Sequence, residues 1–503
     1  MMHLILFIIA LLFCSFIIFS KNTKNKSIIL RPPPGPKGLP FIGNLHQYDS
    51  SRPHVYLAKL AKTYGSIVSL RLGYVPMVVV QSAKLAKEVL KTQDLNFCSR
   101  PLTVGLRKLS YNGLDIAFCP YNEYFREVKK ISVIHLLNSI RVRSFAPIQQ
   151  DEITRLMNKI SSLSSSSSIV NLSILLPDFA CNNICKMAFG RRYENNEGEN
   201  NQFRRLLDEE EEMFVDIAYS DYFPSFGGWI DKLMGKSARL EKTFLELDAF
   251  YQKIIDEHLD PNKCNNDNHE EDLIDVLLHL RKERSFAFEL TLDHVKAILM
   301  NVFAAGTDTS STMVIWAMTE LIKNPNTMKK VQDELRKNVP PKTSYIVEDD
   351  LQNLEYFKAV VKETFRLHPS APLLIAHQAI RQTKIDEYDI EPETIVLVNA
   401  WVIGRDPVSW NDPDKFMPER FLGSSIDFKG QDFELIPFGA GRRMCPGVHL
   451  GTVNFELTLA NLLHFFDWKL PIGVNKEDVD TDTLPGITMF KRNPLCLMAN
   501  KIL

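Results

Sequence analysis

Leu4 to Phe19 is almost wholly aliphatic or aromatic, and residues 1–20 carry no acidic or basic residue other than His3. That run approaches the roughly 20 apolar residues needed to cross a bilayer. Lys21, Lys24 and Lys26 follow at once, a flank that keeps the rest of the chain in the cytosol. A cleaved secretory signal would need a basic start and a small-residue cleavage site, and both are missing. Residues 1–20 therefore read as an uncleaved transmembrane anchor. Residues 21–36 read as a basic, proline-rich hinge, because Arg31-Pro32-Pro33-Pro34-Gly35-Pro36 fixes φ and forbids a helix. Further on, Ile67 to Leu72 and Met77 to Val80 are apolar, β-branched runs parted by Gly73 and Pro76, which predicts a hairpin in a small sheet. From Leu292 to Lys323 apolar residues recur at helical spacing and Asn324-Pro325 supplies a stop, which predicts one long helix. Pro101 to Cys119 has no period and reads as a loop, and the serine run Ser161 to Ser168 as a flexible connector. The acids Asp208 to Glu212 read as a solvated helix surface.

With 503 residues, 45% hydrophobic and 24% charged, the chain can bury a large core. It shows no internal repeat and no long linker after residue 36, so residues 37–503 are expected to form one catalytic domain. A net charge of −2, with no interleaving of basic and aromatic residues, argues against a nucleic-acid partner. Eight cysteines without a C-x-x-C pair argue against a disulfide framework or a structural zinc site. Cys181 and Cys185, four apart, are assigned to core packing. Neither a G-x-G-x-x-G fingerprint nor a Walker loop is present, so no nucleotide site is expected.

Candidate chemistry concentrates in Phe438 to Gly447, which reads FGAGRRMCPG. Cys445 is its one strong metal ligand. Gly441 and Gly447 remove side chains near the thiol and would let backbone approach a large flat ligand. Arg443 sets a permanent cation two residues before the sulfur, suited to a ligand bearing carboxylates. Phe438, Gly441, Arg443, Cys445 and Gly447 meet the pattern F-x-x-G-x-R-x-C-x-G, so the segment resembles the cysteine loop of the cytochrome P450 haem-thiolate monooxygenases.

Further landmarks carry the same resemblance. Ala305-Gly306-Thr307-Asp308-Thr309-Ser310 is a cluster of poor helix formers inside the long helix. It matches the family's oxygen-activation motif, with Thr309 as the hydrogen-bonding residue and Asp308 as the proton gate; Gly306 would leave room for a ligand. Glu363-Thr364-Phe365-Arg366 and Pro418-Glu419-Arg420-Phe421 resemble the E-x-x-R helix and P-E-R-F segment, implying a buried network of Glu363, Arg366 and Arg420. Two departures stand out. Phe125 and Lys129 replace a tryptophan and an arginine that steady a haem propionate, and Ala376-His377 replaces Pro-Arg, making a second propionate partner a titratable histidine. Phe214, Tyr219, Tyr222, Phe223, Phe226 and Trp229 would form a lid, with core packing the alternative.

The resemblance implies a mainly α fold with a small β region, a single catalytic domain behind its anchor, and haem b (iron protoporphyrin IX) with Cys445 as axial thiolate. It is closest to the microsomal, plant-type branch acting on specialised metabolites. It implies a monooxygenase of an apolar small molecule in the endoplasmic reticulum membrane, catalytic domain facing the cytosol. Electrons would come from an NADPH-dependent flavoprotein reductase docking behind Cys445, near Arg442 and Lys415. A haem-thiolate isomerase or dehydratase that uses no O2, and a non-catalytic membrane-bound haem protein, stay open as alternatives. Terpenoid, phenolic, alkaloid and other substrates all remain open.

Overall fold

The computed structural model describes residues 30–192, 205–207, 209–214, 216, 218–260, 271–284, 286–339 and 345–502. The expected anchor over residues 1–20 lies outside the described residues; among those described, no helix is long and apolar enough to cross a membrane.

Helices dominate. In chain order the elements that frame the site are β1 (Ile67–Leu72), β2 (Val75–Val80), α1 (Val104–Leu109), α2 (Glu123–Lys130), α3 (Ala146–Ser165) and α4 (Leu172–Phe189). They continue with α5 (Lys236–Leu259), α6 (Leu292–Lys323), α7 (Glu355–Leu367), β3 (His377–Gln378), β4 (Ile395–Val398) and α8 (Val448–Phe465). The hairpin forms as its pattern predicts, with Ile67 opposite Val80 in an antiparallel pair. Its second strand then pairs parallel with β4 and β4 antiparallel with β3, giving the order β1-β2-β4-β3.

The long helix α6 has the bounds its periodicity predicts and is stopped at Asn324, whose N–H donates to Glu320 O at 3.0 Å. It is buried on nearly every side, as a helix at the centre of a large core must be. α4 packs along it, with Phe189 and Phe303 stacked at 5.8 Å between ring centroids, and α8 closes another face with a run from Val453 to Phe465 that is buried throughout. Cys181 and Cys185 are buried in α4, as core packing requires.

The proline stretch is seated on the sheet: Ser69 donates its N–H to Pro34 O at 2.8 Å and its hydroxyl to Pro33 O at 2.7 Å. Three expectations from pattern change. The aperiodic segment after Pro101 contains the helix α1, capped by the Thr103 hydroxyl accepting from Leu106 N. The serine run stays helical through Ser165, whose hydroxyl folds back onto Ser161 O at 2.9 Å and so satisfies itself without leaving the helix. In the acidic run, Asp208 lies outside the described residues, and Glu210 is fully buried instead of solvated because it shares a helix face with Leu206 and Met213. The aromatic patch divides: Phe223 is buried, whereas Trp229 is 78% exposed.

Candidate active site

The cysteine loop is a sharp reversal between Phe438 and α8. Cys445 N–H donates to Phe438 O at 3.0 Å and closes it. Gly441 has a φ of +69°, and a Cβ there would lie 1.9 Å from Leu90 O. Its glycine is thus required by backbone packing on Leu90, not by approach of a ligand. Gly447 caps α8, and a Cβ on it would be 3.9 Å from the Cys445 sulfur, so the space it leaves does border the thiol. Burial pushes the Cys445 thiol up, opposed by the Gly447 N–H and the Lys129 ammonium. Cys445 nonetheless keeps an accessible face. A metal ion displaces the proton from such a thiol outright.

Beside the loop lie two deep cations. Arg443 donates from Nε to Cys98 O at 2.7 Å and from Nη2 to Cys119 O, with its guanidinium 3.6 Å from the Phe125 ring centre. Arg100, which sequence reasoning missed, donates from Nε to Ala117 O at 3.1 Å and from Nη1 to Ile375 O and Ala376 O at 2.6 and 2.8 Å. Neither pairs with a carboxylate among the described residues, and burial pulls Arg443 down to about 10 and Arg100 well below its usual value. Cations drawn from water without a carboxylate partner are costly, and a ligand carrying two carboxylates would offset that cost. These side chains fit a haem, which carries two propionates. The one signal for Arg100 in the sequence is a lone arginine before Pro101, with two of its partners 275 and 276 residues away.

His377 is buried, donates from Nδ1 to Phe97 O at 3.0 Å, and is pulled well below its usual value by burial and then by Arg100. A carbonyl partner requires a proton on Nδ1, and burial beside Arg100 keeps a second proton off Nε2, so the ring is neutral here. Lys129 reaches the loop itself, donating to Arg442 O. Arg442 is tied at Nη1 to the buried Asp94 at 2.7 Å, so its charge is already committed, while Lys415 is exposed beside Asp412.

On α6, Ala305 is exposed although the helix around it is buried, which marks an internal opening along its middle turns. Thr309 donates its hydroxyl to Ala305 O at 2.7 Å, leaving its lone pairs on the open side. Asp308 is half-buried, and its carbonyl accepts from the Ser311 hydroxyl at 3.1 Å. Gly306 faces the other way: a Cβ there would lie 2.6 Å from Ile184 Cδ1 in α4. Its small size serves helix packing, not ligand room. α6 and the cysteine loop meet across one residue, since Ile116 N donates to Asn301 Oδ1 at 2.9 Å while Ile116 O accepts from Arg443 Nη1 at 3.5 Å.

The expected ion network is present behind the loop. Glu363 takes two bonds from Arg366 at 2.7 and 2.8 Å, and one from Arg420 at 3.0 Å. Phe365, on the same helix, packs edge-on against Phe438 at 5.2 Å and so joins the network to the cysteine loop.

A family model described as cytochrome P450 matches residues 33–497. A 6,7,8-trihydroxycoumarin synthase of Pastinaca sativa is 46% identical over 486 residues, covering 95% of each chain. A 5-OH-xanthotoxin synthase of the same plant is 47% identical over 480 residues, covering 94% of each. Among solved structures, a zebra fish cytochrome P450 with abiraterone superposes with a TM-score of 0.74 at 25% identity, over 90% of this chain and 99% of its own. A match that runs from the proline stretch to the last strand, on the same helix-dominated fold, means that this chain belongs to the cytochrome P450 family.

Proposed function

We propose that the protein hydroxylates a flat aromatic lactone of the coumarin class at the endoplasmic reticulum membrane, with electrons from a separate NADPH-dependent flavoprotein reductase. As a family member it is a haem-thiolate monooxygenase of the plant type, acting on specialised metabolites. Haem on a cysteine thiolate supplies the chemistry of O–O cleavage. The chain's own residues bind, orient and move protons. Cys445 is the thiolate. Arg443 and Arg100 take the propionates, His377 sits beside them, and Lys129 steadies the loop backbone. Phe438 and Gly447 shape the surface next to the sulfur. Thr309, its own proton engaged by Ala305 O, accepts a hydrogen bond at the opening, and Asp308 passes protons inward from the solvent side.

The opening at Ala305 carries this reading, because it bares the middle turns of an otherwise buried helix beside the Thr309 hydroxyl and suits a weakly polar guest. The coumarin assignment is supported by the relatives named above. Membrane seating is supported by exposed Leu39, Phe41, Tyr74, Phe226, Trp229 and Leu233, which Tyr74 and Phe223 bring to one side through a ring contact at 6.2 Å. Lys415 is the cleaner probe of reductase docking, since reversing Arg442 would also strand Asp94.

The test is a reconstitution with reductase, NADPH and O2, using coumarin and xanthotoxin as probes. A substrate-induced spectral shift and a product heavier by one oxygen are expected, and Thr309→Ala should divert electrons to hydrogen peroxide. Turnover without NADPH and O2 would instead select the isomerase alternative. Absence of any shift with both probes overturns the coumarin assignment.

A further inference from the structure

The segment Asp115 to Cys119 is held from two sides. Its carbonyls at Ile116, Ala117 and Cys119 face Arg443 and Arg100. Its N–H groups face α6: Ile116 N and Ala117 N both donate to Asn301 Oδ1 at 2.9 Å. The Asn301 amide then donates from Nδ2 to Asp115 Oδ2 at 3.0 Å, and Asp115 accepts in turn from Phe118 N at 3.1 Å. That pattern fixes the amide orientation, because only the oxygen can take two backbone N–H groups. Asn301 stands one helical turn before Ala305, and Phe118, at the end of the clasped segment, packs on Phe214 at 5.4 Å. The segment therefore walls the opening between α6 and the arginines.

We infer that Asn301 is a positioning residue whose amide, clasped to Asp115, sets the wall of the substrate opening and so the size and shape of guest accepted. The inference rests on the proposed reading of that opening as the substrate site. An asparagine is needed because one side chain must accept twice and donate once. Aspartate would keep both acceptor bonds but turn a carboxylate on Asp115. Asp115 already sits high, at about 6, through burial, opposed by the Asn301 amide, the Phe118 N–H and Arg443. Arg100, Cys119 and Tyr124 are the other titratable groups that sense it. In Asn301→Asp the two acids would share a proton at low pH and repel once both ionise.

The experiment compares wild type, Asn301→Ala and Asn301→Asp in the haem-loaded enzyme. Clotrimazole serves as a bulky azole probe and imidazole as a small one, read by spectral titration and scored as variant-to-wild-type ratios. Loss of the clasp should weaken clotrimazole in Asn301→Ala by roughly ten-fold, the worth of one or two buried hydrogen bonds, while imidazole is unchanged. Asn301→Asp should bind clotrimazole like wild type near about pH 6.5 and weaken as the pair ionises towards about pH 8.5. Both variants should keep the carbon monoxide difference spectrum. Unchanged clotrimazole binding in Asn301→Ala, or a flat pH profile in Asn301→Asp, overturns the inference. Loss of the carbon monoxide signature in both variants makes Asn301 a general structural residue and also overturns it. Absence of that signature in wild type would instead strike the underlying family chemistry.

Discussion

Glu363 and Arg366 meet in a two-pronged ion pair, Nε to Oε2 at 2.7 Å and Nη2 to Oε1 at 2.8 Å, with neither side chain exposed. Opposite charges three apart on a helix ordinarily sit in water and contribute a few tenths of a kcal/mol. Here the remaining donors of Arg366 are taken by the carbonyls of Gly404, Pro413 and Lys415, and Glu363 also accepts from Arg420 and Met417 N. Every guanidinium proton of Arg366 has an acceptor and both oxygens of Glu363 are engaged, which is the condition under which a buried pair holds.

Arg366→Leu should therefore cost about 3–5 kcal/mol, because it leaves Glu363 charged and under-partnered in the core. Phe365 transmits the damage to Phe438, so the thiolate-type absorption should weaken with it. Urea unfolding followed beside the Soret band checks this; a variant within about 1 kcal/mol of wild type would show that the network is dispensable.

Gly306→Ala should destabilise by about 1–3 kcal/mol through overpacking against Ile184, since the new methyl would start 2.6 Å from Cδ1. Adding Ile184→Val removes that carbon but leaves Cγ1 at 2.9 Å, and should recover part of the loss, a coupling that a double-mutant cycle in melting temperature reads directly. Were Gly306 needed for ligand room instead, the double variant would regain stability and still reject substrate.

The Cys445 loop and the pair Glu363 with Arg366 were legible because each is a short-range spacing whose chemistry travels with it. The bounds of α6 were legible because a sustained period and an Asn-Pro stop agree. Arg100 and Asn301 were not, as their meaning lies in loop carbonyls and N–H groups distant in the chain. Gly306 and Gly441 were noticed and misread: conformational freedom shows in a sequence, but what presses on the missing side chain, Ile184 or Leu90 O, does not. A run of acids hides the one that turns inward, because composition averages over helix faces.

Arg100→Leu should speed haem transfer to apomyoglobin by roughly ten-fold or more, the loss of a charge-assisted hydrogen bond, with Arg100→Lys intermediate. Equal transfer rates across the three proteins would remove Arg100 from the propionate site. Melting of the haem-depleted proteins, run in parallel, separates that loss from the three carbonyls at Ala117, Ile375 and Ala376 that the leucine also strands.

Glu210 gives the clearest pH dependence. Both of its carboxyl oxygens are buried with no hydrogen-bond partner. Burial, and then Glu211, push it up to about 8 from an ordinary 4.5. The folded state therefore keeps a proton that the unfolded chain gives up. Stability from this group is fully present below the unfolded value and is lost as pH rises towards about 8, after which it stays lost. Glu210→Gln cannot ionise in either state, so it lacks this group's share of the decline, while other raised groups such as Asp115 act alike in both proteins. Relative to wild type, the variant should gain steadily up to about pH 8, by an amount on the order of a few kcal/mol at most. Parallel wild-type and variant curves in urea across that range would mean that Glu210 finds a partner or water in solution, and the burial argument for this helix would fall.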